Sequence, residues 1–86
     1  MELNNVIRYP LATEKSVRLM EAENKLIFIV DKKSKKQEIK EAAESLFNIK
    51  VANVNTTILI SGKKKAYLTL SKDTPAIDVA TQLGLI

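Results

Sequence analysis

The groups in this sequence whose spacing could do chemistry lie in two lysine runs and one polar strand segment. Lys32, Lys33, Lys35 and Lys36 crowd the start of 31-DKKSKKQEIKEAAESLFN-48, and Lys63, Lys64 and Lys65 follow in 61-SGKKKAY-67. Seven of the 14 basic residues therefore sit in two short segments. The first run precedes an amphipathic helix, whose N-terminus already carries a partial positive charge. Cations there are unfavourable by about 0.3–1 kcal/mol each. A bound phosphate reverses that sign, because the free N–H groups and the lysines then share one anion. Lysine runs are more often plain solvated loops, and lysines at a hairpin tip also block strand pairing. The position of the first run favours phosphate, and nucleic-acid backbone is the commonest source of spaced phosphates.

The third segment is 53-NVNTT-57, in which Asn53, Asn55 and Thr57 alternate on one strand face. An exposed sheet face is the simpler explanation, but Asn is poor in strands. Amide groups at that spacing suit the 2′-hydroxyls and base edges of RNA. Lys64 and Lys65, being adjacent in a strand, should point to opposite faces. Tyr67 suits either core packing or stacking on a base. Enzyme chemistry is poorly supplied: the chain has no cysteine, no histidine and only two glycines. Arg8 is followed by Tyr9 and Pro10 and lacks the glycine-rich cradle an acylphosphatase-like arginine would need. No carboxylate spacing suggests a hard-metal loop. The expectation is a non-enzyme without cofactor or metal.

Those groups must be held by a small fold. With 86 residues, 45% of them apolar, a single domain over 1–86 with a modest core is expected. The net charge is +4. No apolar run reaches membrane-spanning length, and the N-terminal MELNNVIRYP lacks a signal pattern. A soluble intracellular protein is expected. Residues 6–9 suggest a short strand ending at Pro10. Thr13 is a candidate N-cap for a helix over 14–22, with Val17 and Met20 on one side. The run 25-KLIFIV-30 suggests a strand covered on both faces. Ser34 and Gln37 suggest a capping box, and Ile39, Ala42, Ala43, Leu46 and Phe47 follow a helical period up to Asn48. Residues 51–60 and 64–71 suggest a hairpin turning at Ser61-Gly62. Thr74 and Pro75 suggest the start of a last helix with Ala76, Val79, Ala80 and Leu83 on one stripe. The order β-α-β-α-β-β-α implies an α+β fold: a four-stranded, mainly antiparallel sheet with helices on its faces, in α/β/α layers.

The stretches 10-PLATEKS-16, 34-SKKQEIKEAAESLFNIKV-51, 54-VNT-56 and 66-AYLTL-70 jointly resemble a known family over nearly the whole chain. It is the universal large-subunit ribosomal protein number 23, found beside the exit of the nascent-chain tunnel. The resemblance implies a structural protein bound to large-subunit ribosomal RNA and to neighbouring ribosomal proteins, in the cytoplasmic ribosome. It also implies a platform where signal recognition particle and other nascent-chain factors dock. The family's lysine-bearing lead-in to the second helix falls on Lys32 to Lys36, and its V-N-T segment on Val54, Asn55 and Thr56. With the basic runs and the polar strand, the expected RNA contacts are Arg8, Lys15, Lys32, Lys33, Lys35, Lys36, Lys40, Asn53, Asn55, Thr56, Thr57, Lys63, Lys64 and Lys65. The glutamate of the family's T/S-E-K motif, linked there to factor docking, falls on Glu14. A further docking position falls near Phe47 and Asn48, where some relatives carry an acid. Bacterial-type members have a long basic loop between the last two strands; here the connection is only Ser61-Gly62-Lys63. The chain thus resembles the short archaeal form. Two other functions fit the residues alone: a free-standing RNA-binding regulatory module, and a small protein-interaction domain whose lysines only solubilise it.

Overall fold

The strand β2 (Lys25–Val30) organises the fold, as its apolar run suggests. The computed structural model describes residues 3–11 and 13–84; Ala12, inside the stretch 10-PLATEKS-16, lies outside them. A helical turn, α1 (Leu3–Val6), leads into β1 (Ile7–Pro10). Then come α2 (Glu14–Glu23), β2, α3 (Lys36–Phe47), β3 (Val51–Ile58), β4 (Lys64–Leu70) and α4 (Ala76–Gln82). The four strands form one sheet in the order β1-β2-β4-β3, and every pairing is antiparallel. The α+β class and the order of strands and helices are as expected. The short α1 is an addition: Val6 ends a helical turn and does not begin the strand.

Two bulges set which side chains face which way. In β1, Ile7 pairs with Val30 and Tyr9 with Ile29, so Arg8 is the extra residue. In β3, Val51 pairs with Leu70 and Asn53 with Thr69, so Ala52 is extra. A bulge shifts the alternation by one residue. That is why Val51 and Val54, three apart, are both buried.

The core lies on one face of the sheet. Leu26, Phe28 and Val30 of β2 and Ala66, Leu68 and Leu70 of β4 meet Met20 of α2, Ile39, Ala42 and Ala43 of α3, and Ala76, Val79 and Ala80 of α4 in one continuous cluster. Phe28 is fully buried and stacks on Phe47 with ring centroids 5.3 Å apart. Burying each such side chain contributes about 1.5–3 kcal/mol. Ile27 and Ile29 are also buried, but they stand outside the cluster, on the opposite face. Their cross-strand neighbours are Tyr67 for Ile27, and Tyr9 and Lys65 for Ile29. Both faces of β2 are therefore buried, as its apolar run suggests.

Helix ends differ in detail from expectation. Thr13 caps α2 as predicted, its Oγ1 accepting from the Ser16 N–H at 3.2 Å. The capping box shifts by one residue in α3: Lys35 holds the N-cap position, and its N–H donates to the Glu38 carboxylate at 3.0 Å. Ser34 is buried, and its hydroxyl donates to the Asp31 carbonyl. Asn48 ends α3 in the left-handed conformation, as expected. In α4, Pro75 stands at the N-cap, and the cap is supplied from far away. The Asn24 Oδ1 accepts from the Ala76 N–H at 2.6 Å, and its Nδ2 donates to the carbonyls of Leu70, Ser71 and Thr74. One left-handed asparagine thus ties the end of α2 to the end of β4 and the start of α4.

Candidate nucleic-acid interface

The two lysine runs, 30 residues apart in sequence, meet at one end of the sheet. β2 ends at Val30, opposite Lys64, the first residue of β4. The chain beyond β2 and the hairpin tip before β4 therefore leave the sheet side by side. Arg8, Asp31, Lys32, Lys33, Gly62 and Lys63 line a cleft of about 360 Å³ there. The hairpin tip reaches it through a tight loop, in which the Gly62 N–H donates to the Leu59 carbonyl and Gly62 takes a φ of 90°. The β1 bulge sends Arg8 to the same cleft, where its guanidinium lies 3.3 Å from the Asp31 carboxylate.

Asp31 is the one carboxylate among the residues lining this cleft. It accepts from the Lys33 backbone N–H at 2.8 Å. That bond first, and Arg8 next, hold its carboxyl below the ordinary value of 3.8 against the opposing effect of burial. Asp31 therefore fixes the Lys33 backbone and the Arg8 head, in a cleft otherwise lined by Lys32, Lys33, Gly62 and Lys63.

Lys64 and Lys65 point to opposite faces, as adjacent strand residues must. The Lys64 Nζ donates to the Ser34 carbonyl, joining the hairpin to the lead-in of α3. The Lys65 Nζ lies over the Tyr67 ring, 5.2 Å from its centroid. The Lys63 Nζ donates to the Tyr9 hydroxyl at 3.1 Å and lies 5.7 Å from that ring's centroid. Asn53, Asn55 and Thr57 are all exposed and pair with Thr69, Tyr67 and Lys65. They share the outer face with those residues, as their alternation predicts. Thr56 pairs with Ala66 and turns toward the core side, half-buried. The structure therefore separates Thr56 from Asn55.

Lys36 and Lys40 of α3 meet Asn53 across a shallower groove of about 210 Å³. Lys35 is exposed at the cap of α3. Lys15 is exposed on α2 and lines neither cleft. Glu14 is also exposed, and pairs with Arg18 one turn on at 2.9 Å. Phe47 packs against the core, so Leu46, at 43% exposure, and Asn48 present more surface than it does. Sequence reasoning missed Asp31 and Tyr9. Tyr9 had a readable signal, since its strand ends at Pro10 on a sheet edge; the partnership of Asp31 with Arg8 needed the β1–β2 pairing.

The sequence model of a family described as Ribosomal protein L23 matches residues 5–79. The chain is also 46% identical over 85 residues to the large ribosomal subunit protein uL23 of Methanococcus vannielii, covering 99% of each chain.

Proposed function

Since the chain belongs to the ribosomal protein L23 family, we propose that it works as a structural component of the large ribosomal subunit, bound to large-subunit rRNA beside the tunnel exit. The observation that carries the reading is similarity over nearly the full length to a large-subunit protein. Convergence of Arg8, Lys32, Lys33 and Lys63 on one cleft supports the RNA-binding part. Phosphates seated there would neutralise cations from three separate segments at once. Lys36, Lys40 and Asn53 extend this surface along α3 and β3. In the same reading, neighbouring ribosomal proteins are partners, and Glu14, Phe47 and Asn48 belong to a surface for signal recognition particle and other nascent-chain factors. The exposure of Glu14 and Asn48 suits such docking. Phe47 would contribute by holding the end of α3 in place.

The test is sedimentation of tagged protein from a cell extract through a sucrose gradient after a high-salt wash. The expected result is retention on the large subunit. A free protein at the top of the gradient would overturn the reading and favour a free-standing RNA-binding module.

A further inference from the structure

Resting on the rRNA-binding reading above, we propose that the outer face of the sheet takes an unpaired stretch of RNA, with bases stacked on Tyr67 and Tyr9. The register puts Asn55, Tyr67 and Ile27 in one row across the strands, and Thr57, Lys65, Ile29 and Tyr9 in the next. These rows hold two aromatic rings, a lysine, amide and hydroxyl groups, and no carboxylate. Ile27 and Ile29, 3% and 4% exposed, lie packed beneath this surface. Tyr9 is 41% exposed. Strand spacing and rise put the Cα atoms of the two tyrosines roughly 12 Å apart, in the span of a short single strand.

A paired RNA helix offers phosphates and 2′-hydroxyls but hides its base faces. Lysines alone would serve it. Aromatic rings at the surface add nothing to that contact, whereas they match the π-faces of splayed bases. Lys65 lies over the Tyr67 ring in the free protein, whereas Lys63 is bonded to the Tyr9 hydroxyl at the rim of that ring. A phosphate beside Tyr67 draws the Lys65 ammonium aside and uncovers the face for a base, while the Tyr9 face is already open. Asn55 and Thr57 then meet base edges or 2′-hydroxyls. The face thus combines a charge that releases the ring with the ring that receives the base.

Tyrosine fluorescence reports on this directly, because the chain has two tyrosines and no tryptophan. The full-length protein is titrated with a short oligouridylate and with an RNA duplex of equal phosphate count. Oligouridylate should quench the emission and bind more tightly than the duplex. Tyr67→Phe should keep the affinity within about twofold, and Tyr67→Leu should weaken it about fivefold or more. Tyr9→Leu, at an exposed site, gives a second variant that spares folding, and should also weaken binding. Equal binding of both RNAs, no quenching, or unchanged affinity in both leucine variants overturns the stacking proposal. If the protein still sediments with the large subunit, the rRNA-binding reading survives that failure. If it neither sediments with the subunit nor binds either RNA, both fall.

Discussion

Among single residues, Asn24 holds the most structure. Its amide serves three carbonyls and one N–H, all on the far side of the chain. It also sits at a φ of 55°, where most residues are strained. Asn24→Gly keeps the backbone freedom and removes only the amide. The expected loss is about 1–3 kcal/mol of unfolding free energy, read by urea denaturation at unchanged slope. A variant within a few tenths of the parent would mean those bonds contribute nothing net. Asp31 makes a different prediction. Its carboxyl is held below 3.8 in the fold, mainly by the Lys33 N–H. Its stabilisation is therefore fully present above the ordinary carboxylate pKa and is lost as pH falls through the lower folded value. The melting-temperature gap between parent and Asp31→Asn should be widest near neutrality and close in strong acid. A gap independent of pH would contradict the role given to Asp31.

Among the elements, α3 shows the conflict between stability and binding. Lys35 stands at its N-cap without a side-chain cap bond, Lys36 opens it, and Glu38 is the acid in its first turn. If the lysines are placed for phosphates, the free protein carries them at a loss. Lys32→Gln with Lys36→Gln should leave the stability of isolated protein unchanged or raise it by up to about 0.3–1 kcal/mol per charge at low salt, read as an unchanged or higher melting temperature. A lower melting temperature would show that these side chains stabilise the fold in some other way. The sequence made α3, β2 and the Asn48 cap legible because each depends on neighbours within one or two turns. The alternation of Asn53, Asn55 and Thr57 was legible for the same reason. The cap of α4 was not, since Thr74 and Pro75 form a good local signal that Asn24 overrides from 52 residues away. Nor was the side of the sheet taken by Thr56, or the meeting of the lysine runs. Both depend on strand pairing, and pairing register is a long-range property.

For the whole molecule, charge is gathered at one end and along one face. Each phosphate contact should contribute a log–log salt slope of about −0.7 to −0.9 to RNA affinity. Removing Lys33 and Lys63, which line the same cleft, should flatten the slope by about two such steps while leaving the folded baseline intact. An unchanged slope in Lys33→Gln with Lys63→Gln would remove the cleft from the interface.

The strand order has a consequence for how the chain is made. β4 lies between β2 and β3 yet leaves the ribosome after both. Until it is synthesised, only β1 and β2 have each other as partners, and β3 has none. Closure of the sheet therefore waits for Leu70, and the fully buried Phe28 and Leu26 have no β4 beside them for most of translation. A nascent chain halted near residue 60 would be an open half-sheet, held from aggregation by its lysines more than by its core.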